Sequence, residues 1–210
     1  MGAILELQGV SMSFGGLKAV DNLSFTVNEN EIVSIIGPNG SGKTTTFNVI
    51  SGLYEPDSGE ILLKGESVAG MRPDQVHDKG ISRTFQSLRL FSNMSVLENV
   101  LVGMHSVTDA GLVASMLRLP KVRREEKAMR ERAQEILAMF PGRFSGPRQQ
   151  QPAFSLSYAN RRRLEIARAL ASDPTLLMLD EPVAGMNPME SHEVMEQIKI
   201  LRDKGYTIVM

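Results

Sequence analysis

The chain has 210 residues, 42% of them hydrophobic and 22% charged, with a formal net charge of −1. That suits one α/β domain with a substantial core and offers no basic field for nucleic acid. It has no cysteine, which excludes disulfides and thiolate metal sites.

No basic-then-apolar leader is visible at the N-terminus. The longest apolar runs are strand-length, far short of the roughly 20 residues that cross a bilayer, so any link to a membrane is expected to run through a partner.

Ile4 to Gln8, Leu23 to Val27 and Gly59 to Leu63 are short, turn-bounded segments that read as an antiparallel sheet. Ile32 to Ile36 reads as a buried strand. A glycine-rich turn follows it, then a helix from Lys43 towards Ser51 with Gly52 as its C-terminal stop. From about Leu88 to Phe154 the character changes. Met129, Ala133, Ile136, Leu137 and Phe140 recur at helical spacing with charges opposite, and Pro141 to Pro152 reads as a loop. A helix is expected from Asn160 to Ala171, a second buried strand at Leu176 to Asp180, and a helix carrying Val194, Ile198 and Leu201. Tyr206 to Met210 reads as a third buried strand. The expected fold is therefore α/β: a mainly parallel sheet with helices, an N-terminal antiparallel β subdomain and an inserted helical subdomain. Residues 1–87 and 156–210 form the core and 88–155 the helical lobe and linker.

Gly37-Pro38-Asn39-Gly40-Ser41-Gly42-Lys43-Thr44 matches G-x-x-x-x-G-K-[ST] between a strand and a helix, the context this phosphate-binding motif requires. Glycines let the backbone curl so that successive N–H groups meet phosphate oxygens, and the helix adds its positive end. Lys43 is expected to set a charge on the β- and γ-phosphates of ATP. The Thr44 hydroxyl would ligate Mg²⁺, and Thr45 follows in the same nucleotide-binding turn. At the end of the Leu176 strand, Asp180 is placed to hold Mg²⁺ and Glu181 to polarise the attacking water.

With both motifs in place, the chain resembles the ATP-binding cassette family from about Leu5 to its last residue. The likeness is closest to subunits serving branched-chain amino acid importers rather than lipopolysaccharide exporters. It is carried by Phe14-Gly15-Gly16-Leu17-Lys18-Ala19-Val20, Arg83-Thr84-Phe85-Gln86, Leu156-Ser157-Tyr158-Ala159-Asn160 and Ala184-Gly185-Met186-Asn187-Pro188. The resemblance implies that Phe14 stacks on adenine and that Gln86 touches both Mg²⁺ and the attacking water. It also implies that Ser157 and Ala159, at a helix N-terminus, meet the γ-phosphate held by a second ATP-binding subunit. Membrane-spanning permease subunits are the implied partners, and the cytoplasmic face of the inner membrane is the implied location.

Two departures stand out. Ala159 and Asn160 replace the usual Gly and Gln, so a methyl is expected to crowd the phosphate. The histidine that follows the last strand in relatives is not reached, which reads as C-terminal truncation; His77, His105 and His192 are expected to be surface or structural. These departures keep open an alternative, a nucleotide-binding module without efficient turnover. Soluble cassette ATPases of translation or repair are disfavoured by the single cassette, and GTPases by the lack of an Asn-Lys-x-Asp segment.

Overall fold

The structure is a computed structural model that describes residues 2–104 and 120–210. The first elements are β1 (Ala3–Phe14), β2 (Leu17–Asn28), β3 (Ile32–Val33), α1 (Lys43–Ile50), β4 (Ser58–Leu63) and β5 (Glu66–Ser67). Then come α2 (Pro73–Asp78), β6 (Ile81–Arg83), α3 (Val96–Gly103), α4 (Pro120–Ala138) and α5 (Tyr158–Leu170). The chain closes with β7 (Leu176–Met178), α6 (Pro188–Asp203) and β8 (Thr207–Val209). No described helix is long and apolar enough to cross a membrane.

The contacts divide the chain into two compact units. The first comprises residues 1–86, 174–182 and 198–210, and it holds both sheets. One sheet is antiparallel, in the order β2-β1-β4-β5. Its strands β1 and β2 run much longer than the segments expected, because bulges carry them past their polar interruptions. Gly9, at φ +61, sits in a register shift of the β1–β2 pair, and Ser24 Oγ accepts its N–H. The other sheet is parallel, in the order β3-β8-β7-β6. Leu5, Ile50, Ile61, Leu176, Met178 and Val209 form a shared core with almost no exposure. Each such side chain contributes about 1.5–3 kcal/mol by leaving water.

One strand departs from expectation. Leu176 to Met178 and Thr207 to Val209 are fully buried, but Ile32 and Val33 are half-buried and Ile36 is 89% exposed. Among the described residues β3 pairs on one side only, with β8, so it is an edge and not an interior strand.

The second unit comprises residues 87–173 and 183–197. The division thus lies elsewhere than expected: 156–173 and 183–197 group with the helical part. The reason is packing. Gly103 of α3 lies so close to α5 that a methyl there would overlap the Arg168 carbonyl oxygen. Buried charges also tie α5 into this unit. Arg162 and Glu165 pair at 2.7 Å with 0% and 1% side-chain exposure, and Glu165 Oε1 accepts the Arg89 N–H at 3.3 Å. Ala133, Ile136 and Leu137 of α4 are buried with Phe140, as the spacing predicts. A reciprocal cap starts α3: Ser95 Oγ accepts the Glu98 N–H and Glu98 accepts the Ser95 N–H. His192 is exposed and His77 half-buried, while His105 lies outside the described residues.

Candidate functional site

In the first unit, the loop from Gly37 to Ser41 is exposed and leads into α1, whose N-cap is Gly42. Gly42 has φ +86, and a methyl there would overlap the Ala19 carbonyl oxygen on β2. The glycine is therefore needed twice, for its left-handed backbone and for the approach of β2. Gly42→Ala is expected to destabilise the chain by about 3 kcal/mol or more, read as a drop in the urea midpoint. A midpoint within error of the parent would refute this account of the turn.

The Lys43 ammonium donates to the carbonyls of Gly37 at 2.7 Å and Pro38 at 2.8 Å, so it lies over the loop that precedes it. The Ser41 N–H donates to Pro38 O at 3.2 Å, closing a turn between Asn39 and Gly40. Thr44 is exposed on the first turn of α1 and Thr45 half-buried. Thr46 is buried and returns its hydroxyl to Gly42 O at 3.0 Å, which firms the helix start.

The acid pair follows β7. Asp180 is 7% exposed and Glu181 is exposed, so one acid is held and the next faces solvent. Glu181 has φ +45 although it is not glycine and precedes Pro182. A left-handed backbone costs about 1–2 kcal/mol for such a residue, and strain of this kind collects where a side chain must be aimed. The strand end β6 and the turn beyond it embrace the same pair. Arg83 binds Asp180 Oδ2 at 2.8 Å, Thr84 Oγ1 accepts the Asp180 N–H at 3.3 Å, and Gln86 Nε2 donates to Glu181 Oε2 at 3.1 Å. The structure therefore brings Gln86, Asp180 and Glu181 together. It also adds Arg83 and Thr84, which residue spacing could not single out; their only sequence signal was membership of the Arg83 to Gln86 segment.

Among the described residues no group of three or more His, Asp or Glu could hold a metal by itself. The donors present are hydroxyl, carboxylate and amide oxygens, which fit Mg²⁺: that ion keeps waters and takes one or two carboxylates plus substrate phosphates.

Phe14 ends β1 and is 44% exposed, with its ring 5.2 Å from that of Tyr54 at 75°. Tyr54 is 39% exposed and was not foreseen. Its N–H and that of Leu53 both donate to Asn48 O, so the turn after α1 presents it. An exposed aromatic pair offers a flat apolar surface for a base.

In the second unit, Ser157 is the N-cap of α5, its Oγ accepting the Asn160 N–H at 3.4 Å. Acceptance leaves the hydroxyl proton available, and the first N–H groups of the helix have no intrahelical acceptor. Arg161 braces the approach by donating to Leu156 O at 2.9 Å and Phe154 O at 2.7 Å. Arg163 holds Asn160 Oδ1 at 2.9 Å, Gln197 Oε1 at 3.0 Å and Glu193 Oε2 at 2.8 Å. Burial lowers the Arg163 pKa first and the neighbouring Arg143 charge adds to it, with Glu193 opposing both. Ala159 corrects an expectation. It is 1% exposed, packed into the unit's interior, so its side chain does not crowd a phosphate arriving from solvent.

The chain as a whole is similar to known proteins. The family described as ABC transporter matches residues 20–184. The chain is 43% identical over 207 residues to the high-affinity branched-chain amino acid transport ATP-binding protein LivG of Salmonella typhimurium, covering 99% of this chain and 80% of that protein. The ADP conformation of MJ1267, an ATP-binding cassette of an ABC transporter, superposes with a TM-score of 0.84 at 32% identity, covering 100% of this chain and 80% of that one. A dimeric post-hydrolysis state of the cassette MJ0796 bound to ADP and Pi superposes with a TM-score of 0.75 at 26% identity, covering 98% and 86%. A phosphate loop opening a helix, an acid pair at a strand end and a matching likeness over the whole chain lead to one conclusion: the chain belongs to the ABC transporter family, as an ATP-binding subunit that hydrolyses ATP.

Proposed function

We propose that this subunit energises an importer of branched-chain amino acids, with permease subunits in the membrane and a second ATP-binding subunit as partners, at the cytoplasmic face of the inner membrane. The solute rests on the likeness to LivG. The second subunit rests on the dimeric form of the MJ0796 cassette and on the exposed helix start at Ser157, which can meet a phosphate held elsewhere. In this reading the domain is a nucleotide-binding core with β and helical subdomains.

The roles divide as follows. Gly37 to Gly42 wrap the phosphates with backbone N–H groups, and Lys43 leaves the loop carbonyls for the β- and γ-phosphates. Thr44 and Asp180 would hold Mg²⁺, with Gln86 beside them, and Thr45 would add its hydroxyl to the phosphate turn. Mg²⁺ supplies charge neutralisation on the phosphates when bound. Glu181 takes a proton from the attacking water, and Gln86 orients the same carboxylate. ATP binding then favours the closed pair of subunits and hydrolysis releases it, which converts differential affinity into motion.

The observation that carries this reading is the grip of Thr84 and Gln86 on Asp180 and Glu181, since it sets two acids in different environments side by side. The alternative, binding without turnover, is not favoured: the acid pair is assembled, and the similar cassette MJ0796 is known in a post-hydrolysis state bound to ADP and Pi. Phosphate release from the purified chain, alone and mixed with its permease partners, tests it. ATP-dependent release that permeases and branched-chain amino acids stimulate is expected; binding with no release under either condition would sink the turnover.

For the base, Phe14→Ala is expected to weaken ATP about tenfold, in keeping with about 1–3 kcal/mol per stacked base. Inorganic triphosphate should compete as well as before. An equal loss for both ligands would remove Phe14 from the adenine site.

A further inference from the structure

We propose that Arg83 is the positioning residue for Asp180, fixing the metal-holding carboxylate to the helix that carries the phosphate loop. The proposal rests on the reading of Asp180 as that carboxylate.

The Arg83 side chain is 6% exposed and that of Asp180 9%, and their contact at 2.8 Å runs through Oδ2. The same guanidinium donates from NH1 to Asn48 Oδ1 at 2.7 Å and to Ser51 Oγ at 2.9 Å. Asn48 lies on α1 and Ser51 caps its end, and α1 begins with Lys43 and Thr44. One planar group thus joins the far end of the phosphate-loop helix to the acid at the end of β7. The ring centroids of Phe47 and Phe85 stand 5.4 and 5.2 Å from the guanidinium carbon, within reach of a cation–π attraction.

Packing alone does not explain this cation. A buried place beside two phenyl rings is filled at less cost by an apolar side chain, and a buried ion pair is weak evidence for stability. Arg83 Nε, moreover, is buried without an acceptor. The orientation that serves Asp180 and α1 leaves that donor unmet, so the fork is aimed at those partners and not at its own satisfaction. The consequence is local. A carboxylate free to rotate about its Cα–Cβ and Cβ–Cγ bonds presents a changing set of oxygens, whereas one gripped at Oδ2 by Arg83, on a backbone whose N–H donates to Thr84 Oγ1, keeps a single pose. Because α1 is a rigid rod, Thr44 and Asp180 then keep a constant relation, as a shared ion would need. Outer partners of this kind are worth about 10–100-fold in metal affinity.

The experiment titrates a fluorescent ATP analogue into the purified full chain with excess EDTA and again with Mg²⁺, and takes the ratio of affinities as the gain from metal. Parent, Arg83→Met, Arg83→Lys and Asp180→Asn are compared, with melting curves to check folding. Arg83→Met is expected to cut the gain about tenfold, with metal-free affinity within about twofold of the parent. Arg83→Lys should restore part of it and Asp180→Asn should match or exceed the loss. Equal losses with and without metal would reduce Arg83 to a structural residue and overturn the proposal. So would an unchanged gain in Arg83→Met while Asp180→Asn loses it. An unchanged gain in Asp180→Asn would overturn the assignment of the metal to Asp180 itself, and the proposal with it. Should Arg83→Met not fold, Arg83→Gln and Arg83→Lys carry the same comparison, with glutamine expected to lose more of the gain than lysine; the reverse order would overturn it.

Discussion

Lys43→Ala is expected to abolish ATP binding at concentrations that saturate the parent, a loss of at least about a hundredfold. Charge-assisted hydrogen bonds are worth about 1.5–3 kcal/mol each. A lysine serving both the β- and γ-phosphates therefore stands for about 3–6 kcal/mol, and every 1.4 kcal/mol is about tenfold. There is a second contribution. Lys43 donates to the Gly37 and Pro38 carbonyls, so its ammonium also helps to shape the loop before nucleotide arrives. Alanine removes both effects while keeping α1 intact, because alanine is the best helix former and Gly42 still starts the helix. Titration with a fluorescent ATP analogue gives the result directly, and ATP-induced stabilisation in melting curves should vanish with it. Affinity equal to the parent would mean that the nucleotide binds elsewhere.

Glu181→Gln separates binding from chemistry. Removing a positioned general base costs about 10²–10⁴ in rate, so phosphate release should fall at least about a hundredfold while ATP affinity stays near that of the parent. The exchange is nearly isosteric. It keeps the side chain beside Gln86, at a position whose φ of +45 already burdens any residue but glycine, so the fold should not notice it. In the assembled transporter the ATP-bound closed pair should accumulate, visible as a slower-dissociating dimer on gel filtration in ATP. Phosphate release within about threefold of the parent would show that another group accepts the proton. The strain at Glu181 is part of the same expectation: a backbone cost is tolerated where it aims a carboxylate.

The phosphate loop was legible because its chemistry is local. The spacing of glycines, lysine and threonine between a strand and a helix defines the turn, and Lys43, Thr44 and Gly42 stand where that spacing puts them. The helices at 160–171 and around Val194 were legible for a similar reason, since a 3.6-residue apolar period persists over several turns. Burial of Ile32 to Ile36 was not. An apolar run says that a strand is wanted, not how many neighbours it has, and β3 pairs only with β8 among the described residues. The full lengths of β1 and β2 escaped as well, since bulges are choices of cross-strand register that one strand alone does not reveal.

The sequence by itself thus determined the nucleotide loop, the acid pair, the α/β class and the family likeness, all set by neighbours along the chain. Tertiary structure decided which partners those residues take. Residues 83 and 180 lie 97 positions apart, yet a 2.8 Å contact makes them one device. Ala159 turned from an obstacle into a buried packing residue for the same reason: its neighbours in space differ from its neighbours in sequence. Even the two acids, Asp180 and Glu181, adjacent and alike on paper, became a buried, held carboxylate and an exposed one only once β6 and the turn after it closed around them.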